Sequence, residues 1–171
     1  MKTARVTVLP YDGAWSLAFL DIKKELSDAI SELAVCIEHV GSTAVFGMSA
    51  KPCIDIDVVI WDYSVFAEVV RRLGEIGYIH EGDLGIKDRE AFCYSGKEHL
   101  MKHHLYVCPE YSEELRRHIT FRDYLRSNAD AVKRYSEVKE RAAELYPDDI
   151  DKYIDYKSPV IEELYLACGL V

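Results

Sequence analysis

One short stretch constrains the fold of this chain more than any other: residues 53–60, CIDIDVVI. Its apolar, β-branched character predicts a buried strand in which Asp55 and Asp57 are the only charged residues. Because side chains alternate across a strand, both carboxylates project from one face, and the isoleucines and valine beside them project from the other. An apolar layer must cover that second face. The two carboxylates repel each other unless a cation or basic side chains lie between them.

The rest of the chain predicts an α+β fold, with a mixed sheet, flanking helices and a C-terminal helical portion. Apolar residues at helical spacing and short β-branched runs between turn residues locate the elements. We expect strands at 5–9, 35–40, 53–60, 78–80, 91–95 and 101–108, and helices at 14–34, 63–76, 112–127, 129–145 and 149–168. We predict one domain over residues 1–171, with a sheet-containing core at about 1–110 and a helical part at about 111–171.

The net charge of −9 at pH 7 argues against general nucleic-acid binding, because such proteins derive most of their affinity from basic surface. It allows a local basic pocket that binds a nucleotide or a phosphorylated small molecule. The five cysteines include no Cys-x-x-Cys pair, which predicts reduced, mostly buried thiols rather than a disulfide scaffold. We find no signal-peptide core and no apolar run of about 20 residues, so we expect no membrane association and a cytoplasmic location.

A second motif, the pair Gly41–Ser42, closes the strand that precedes the Asp pair. Glycine lets the backbone approach a phosphate closely, and serine offers an amide and a hydroxyl as donors. Mg²⁺, or Mn²⁺ in its place, suits the Asp pair, because Mg²⁺ typically binds one or two carboxylates plus substrate phosphate oxygens. The combination favours a site for phosphoryl or nucleotidyl transfer, with Asp55 and Asp57 as metal ligands and catalytic residues.

Two other interpretations bear on this site. An Asp-x-Asp pair alone most often marks a solvated strand end or the cap of a neighbouring loop, and only the nearby Gly-Ser pair shifts the balance towards a metal site. A nucleotide-kinase P-loop is excluded. The only Gly-Lys pair, Gly96–Lys97, has Ala91 where the first glycine belongs and Glu98 where the hydroxyl belongs.

Four segments resemble the GrpB family, small proteins with a nucleotidyltransferase-like fold: IEHVGSTAVFGMSAKPCIDIDVVI, HHLYV, HITFRDYLRSN and YIDYKSPVI. The resemblance covers nearly the whole chain. It implies a nucleotide site to which the signature residues contribute: His39, Gly41, Ser42, Thr43, Lys51, Pro52, Asp55 and Asp57. Some related proteins are labelled dephospho-CoA kinase, but the label does not transfer to this chain, because that chemistry needs a P-loop.

Several further residues are candidates for this site. Arg89 matches a basic position of the family, and we predict that Lys51, Arg89 and Arg122 bind nucleotide phosphates. Lys51 and Arg122 could instead pair with acidic side chains near them. His103 and His104 are adjacent on a strand and therefore face opposite sides. We predict that His104 faces the Asp pair and accepts a proton during catalysis, the alternative being a structural histidine.

Two functions are consistent with these residues. The first is a Mg²⁺-dependent nucleotidyltransferase acting on a small molecule or a macromolecular hydroxyl. The second is a non-catalytic accessory or sensor module that binds a nucleotide or a CoA-like ligand. The wider superfamily places a third carboxylate on the strand beside the Asp pair, which is 101–108 here and contains no Asp or Glu. That absence favours the second function. The intact Gly-Ser and Asp-x-Asp motifs favour the first, which we prefer.

Overall fold

A mixed five-stranded sheet organises the protein, whose computed structural model describes residues 5–171. The helices and strands are, in chain order, α1 (Ala14–Ile30), β1 (Cys36–Val40), β2 (Ile54–Ile60), α2 (Phe66–Glu75), β3 (Tyr78–Gly82), β4 (Glu90–Tyr94), β5 (His103–Pro109), α3 (Glu113–Arg126), α4 (Ala129–Leu145) and α5 (Ile150–Ala167). Short 3₁₀ turns at Ser42–Ala44 and Tyr63–Val65 precede β2 and α2, respectively. The predicted α+β class with a mixed sheet is confirmed.

The strand that carries the Asp pair lies inside the sheet, whose order is β1-β2-β5-β4-β3. Strand β2 runs antiparallel to β1 and parallel to β5, and β4 runs antiparallel to both β5 and β3. The register sets Asp55 beside His104 and Asp57 beside Tyr106. Side chains from β5 therefore flank both carboxylates.

One face of the sheet is apolar and is covered by α1 and α2. The alternate residues of β2, including Ile54 and Ile56, are fully buried in this core. Helix α1 contributes an apolar stripe with Ile22 and Leu26, and α2 contributes Leu73. This arrangement follows because successive side chains of β2 point to opposite faces of the sheet. The apolar side chains lie on the face opposite the aspartates and must be covered by an apolar layer.

The C-terminal helices cover the face that carries the aspartates. Helix α3 is tied to β1, because Arg122 Nη1 donates to Glu38 Oε2 at 2.6 Å and to the carbonyl oxygen of His39 at 3.0 Å. Arg126 Nε donates to the carbonyl oxygen of Ala44 at 2.9 Å. These bonds hold α3 against the loop that follows β1, so the loop and the helices together form one side of a cavity.

Three expectations differ from the structure. Residues 5–9 do not form a strand, because only Leu9 makes a bridge, with Ala50. The first helix ends at Ile30 rather than at residue 34. All five cysteines are unpaired, as predicted. The expectation that most of them are buried is wrong: Cys36, at the start of edge strand β1, and Cys93, near the end of β4, are exposed. Among residues 5–171, no helix has both the length and the apolar character needed to cross a membrane.

We expect Ile56→Ala to lower the free energy of unfolding by about 2–5 kcal/mol, because it removes a fully buried side chain and leaves a cavity. Urea denaturation measures this change. Ile79→Ala on β3 is the matched control, since that side chain is 62% exposed and should contribute much less. Equal losses from the two variants would contradict the assignment of β2 to the core.

Candidate functional site

A cavity of about 280 Å³ lies between the sheet and the C-terminal helices. Asp55 and His104 line it from the sheet, and the turn at Gly41–Thr43 lines it from the loop after β1. Helices α3, α4 and α5 complete the wall with basic and aromatic side chains: Arg117, His118, Phe121, Arg122, Leu125, Tyr135, Lys139, Tyr153, Lys157 and Tyr165. The cavity is thus acidic on the sheet side and basic on the helical side.

Gly41 allows the loop to approach the Asp pair closely. Its φ of 76° and ψ of −175° belong to a region that is essentially restricted to glycine. A Cβ at this position would overlap Asp55 Oδ2 and would lie 3.2 Å from the Asp55 Cβ. The glycine is therefore required both for its backbone conformation and for the space that the carboxylate occupies.

Asp55 is partly exposed to the cavity and is bonded to a histidine on the neighbouring strand. Its Oδ1 lies 3.0 Å from His104 Nδ1. Hydrogen bonds to the Asp55 and Cys53 side chains raise the pKa of His104 to about 10, although burial opposes the shift. The structure thus places His104 where we predicted, but as an imidazolium at neutral pH. A protonated ring has no lone pair to accept a proton, which disfavours the predicted role of proton acceptor in the ligand-free protein.

Asp57 is fully buried behind Asp55 and is bonded to a histidine that the sequence did not single out. His118 of α3 contacts Asp57 Oδ2 at 2.6 Å through Nδ1 and Glu114 Oε1 at 3.2 Å through Nε2. Burial lowers the pKa of His118, but the hydrogen bond and charge of Asp57 and the charge of Glu114 outweigh it, so the pKa is raised overall. The imidazole ring lies between the carboxyl groups of Asp57 and Glu114. Burial raises the pKa of Asp57, although the hydrogen bond and charge of His118 oppose the shift.

The donor set fits a hard divalent cation in part. Each aspartate bonds a histidine through one oxygen, and Asp57 Oδ1 is buried without any hydrogen-bond partner in the described residues. An unpartnered buried carboxylate oxygen is costly, and a cation would satisfy it. Within residues 5–171, no three His, Cys, Asp or Glu side chains converge to enclose a metal. A bound Mg²⁺ would therefore depend on oxygens supplied by a ligand, as is typical of that ion.

Three lysines meet at the cavity, Lys139 and Lys157 from the helical wall and Lys51 from the loop before β2. Lys139 Nζ donates to Ser42 Oγ at 2.8 Å. Lys51 and Lys157 lie over the ring of Tyr153, at 5.4 and 4.9 Å from its centroid. Burial, together with repulsion from the neighbouring lysines, lowers the pKa of Lys139 to about 7 and that of Lys157 to about 8. This cluster of three lysines has more positive than negative charge, which favours the binding of an anionic ligand.

The other predicted residues lie at different distances from the cavity. Thr43 lines it and is bonded at 2.9 Å to His39, whose ring stacks on Phe19. Burial and the charge of Arg126 lower the pKa of His39 to about 4, so this histidine is neutral. Arg122 lines the cavity while paired with Glu38, one of the two alternatives the sequence left open.

Arg89, like His39 and Asp57, does not line the cavity. Its guanidinium carbon is 4.4 Å from the centroid of the ring of Tyr106, which lies beside Asp57 in the sheet. Its Nε is buried and has no hydrogen-bond partner within residues 5–171. A phosphate role for Arg89 stays a prediction. His103, in contrast, faces the other side, where Tyr78 Oη lies 2.7 Å from its Nε2.

Sequence reasoning missed three residues of the site: His118, Lys139 and Lys157. His118 opens the segment HITFRDYLRSN and Lys157 lies within YIDYKSPVI, so both were inside the segments that carry the family resemblance. Lys139 lies on α4, for which no such segment exists. The only sequence signal for Lys139 was its place as an isolated lysine on the apolar face of a predicted helix. In the structure that face is buried, and Lys139 is 3% exposed.

The chain belongs to the GrpB family, because the family model described as GrpB protein matches residues 5–166. It is 34% identical over 169 residues to the glutamate-rich protein GrpB of Alkalihalophilus pseudofirmus, a match that covers 96% of each chain. It is also 29% identical to UPF0157 protein YqkA of Bacillus subtilis, where the match covers 92% of this chain and 46% of that protein.

Solved structures agree with the family and the fold. The crystal structure of conserved protein GrpB from Enterococcus faecalis is similar, with a TM-score of 0.79, 28% identity, and coverage of 92% of this chain and 96% of that chain. The MgGTP-bound structure of the Cid1 poly(U) polymerase has a TM-score of 0.53 and 10% identity, covering 76% of this chain and 42% of that chain. The predicted nucleotidyltransferase-like fold is confirmed.

We expect Gly41→Ala to destabilise the protein at least twice as much as Gly85→Ala, which should cost about 1 kcal/mol. Both glycines have a positive φ, 76° and 84°, but a Cβ at Gly85 meets no atom of residues 5–171 within 4 Å. Urea denaturation of both variants separates backbone strain from the overlap with Asp55. Equal losses would show that the close approach to the carboxylate is unimportant.

Proposed function

We propose that the cavity binds a nucleotide together with Mg²⁺ or Mn²⁺, and that the protein is a metal-dependent nucleotidyltransferase. The observation that carries this proposal is the unpartnered Asp57 Oδ1, buried on the same side of β2 as Asp55. Asp55 and Asp57 would hold the metal. When bound, it would neutralise phosphate charge and polarise the phosphorus centre.

The polarity of the cavity suits a ligand with a phosphate chain. The acidic wall offers Asp55, and the turn at Gly41–Ser42 places a hydroxyl and closely approaching backbone beside it. Lys51 and Arg117 line the same space from the opposite side. A phosphate chain that lies between a metal at the aspartates and these cations would have its charge compensated at both ends.

In this proposal His104 and His118 have roles other than that of a general base. His104, as an imidazolium bonded to Asp55, can orient that carboxylate and donate to a phosphate oxygen. His118 positions Asp57 in the same way from α3. Both hydrogen bonds hold a carboxylate in one orientation, as partners of metal ligands commonly do. In this proposal the acceptor hydroxyl is activated without help from His104.

A second candidate is a non-catalytic module that binds a nucleotide or a CoA-like ligand. The observation in its favour is that β5 presents His104 and Tyr106 beside the aspartates and no carboxylate. A third carboxylate usually helps to activate the attacking hydroxyl, so its absence would slow transfer more than binding. The cytoplasmic location and the lack of general nucleic-acid binding stay predictions.

We expect the double variant Asp55→Asn, Asp57→Asn to lose Mg²⁺-dependent nucleotide binding by at least about 100-fold, because the carboxylates supply the protein's only charged ligands to the metal in this proposal. Binding is measured by calorimetry with ATP, GTP, CTP and UTP, with and without Mg²⁺. Wild-type affinity in the double variant would refute the proposed site.

The matched control is Asp21→Asn, Asp28→Asn on α1. Both residues are exposed, and the pair changes the net charge by the same amount as the site variant. It should bind nucleotide as the wild type does. Transfer is then tested with α-³²P-labelled nucleotides and candidate acceptors: label moving to an acceptor supports the enzyme, whereas binding without pyrophosphate release supports the module.

A further inference from the structure

Lys139 is the most buried charged side chain of the cavity wall. It projects from α4, is 3% exposed, and reaches the cavity with its Nζ 2.8 Å from Ser42 Oγ and 4.2 Å from the centroid of the Tyr135 ring. Among residues 5–171, no carboxylate lies within 4.0 Å of Nζ. The hydroxyl of Ser42 is its only hydrogen-bond partner there.

The groups around Lys139 disfavour its protonated form. Lys51, in the loop before β2, and Lys157, on α5, repel the protonated amine. The charge of Glu140 favours protonation, but Glu140 is exposed and accepts a hydrogen bond from the hydroxyl of Ser49. Burial and this repulsion lower the pKa of Lys139 to about 7. In a large fraction of the molecules the Lys139 side chain is then a neutral amine at physiological pH, with a lone pair available at the cavity.

We propose that Lys139 is a nucleophilic amine that forms an imine with a small phosphorylated aldehyde bound in the cavity. A lysine that is desolvated and placed beside other cationic groups is the setting in which amines attack carbonyl compounds. Lys51 and Lys157 supply positive charge for the phosphate group.

The reaction balances without an oxidant or a reductant. The Nζ lone pair attacks the carbonyl carbon, a C–N bond forms, and a proton passes from nitrogen to the carbonyl oxygen to give a carbinolamine. Loss of that hydroxyl as water, with the second proton of the amine, gives the imine. The Ser42 hydroxyl, 2.8 Å from Nζ, is placed to donate to the carbonyl oxygen and to relay the proton.

This inference goes beyond the proposed function, because it requires neither a metal nor a nucleotide. Asp55 and Asp57 take no part in it. Failure of nucleotide binding would leave it intact, and failure of imine formation would leave the nucleotide site intact. The two proposals are linked only in that both ligands would use the same cations, so they should compete.

The test uses the whole protein with pyridoxal 5′-phosphate at a substoichiometric concentration, without Mg²⁺, followed by sodium borohydride and peptide mapping by mass spectrometry. We expect Lys139 to carry at least tenfold more label than Lys133, an exposed lysine on the same helix. Pyridoxal without the phosphate should label Lys139 much less, and inorganic phosphate should compete. The labelling rate of Lys139 should rise through about pH 7, as expected for its lowered pKa.

Two variants complete the test. Lys139→Arg keeps a long basic side chain but removes the nucleophilic amine, and it should abolish the selective label, whereas Lys133→Arg should leave it unchanged. Mapping of the wild type decides the matter even if Lys139→Arg does not fold, and urea-denatured wild type should lose the selectivity. Label spread evenly over surface lysines, or equal labelling of Lys139 and Lys133, would overturn the proposal.

Discussion

The structure depends on one constraint, which is that two carboxylates project from one face of an interior strand. The alternation of β2 turns its apolar side chains to α1 and α2 and leaves Asp55 and Asp57 facing the C-terminal helices. Those helices cannot bury the aspartates with apolar side chains, because an unpaired buried charge is costly. They bring histidines, arginines and lysines instead, and a cavity remains where the two layers meet.

The way in which the aspartates are neutralised has a functional consequence. Each is bonded to a histidine from a different element, Asp55 to His104 of β5 and Asp57 to His118 of α3. One oxygen of each aspartate bonds the histidine, so the other oxygen is available to a ligand-borne cation. Most of the basic side chains lie on the helical wall, and Lys139 is the most buried of them.

The sequence predicted what local periodicity determines and missed what the tertiary fold brings together. The bounds of α4 and the shared face of the Asp pair followed from patterns of 3.6 and 2 residues. Residues 5–9 alternate weakly but have no partner strand in the part of the chain that the structure describes, so only a bridge forms. His118 and Lys139 approach residues that lie 61 and 97 positions away in the chain, a proximity that no single-sequence pattern encodes.

The central claim is that the sheet side of the cavity binds a divalent cation together with a nucleotide. The most direct measurement is a crystal structure with Mn²⁺ and a non-hydrolysable nucleoside triphosphate, in which anomalous scattering locates the metal. The account predicts an anomalous peak about 2.1 Å from a carboxylate oxygen of Asp55 and from one of Asp57, with phosphate oxygens completing the coordination. A nucleotide bound elsewhere, or one bound in the cavity with no metal at the aspartates, would contradict it.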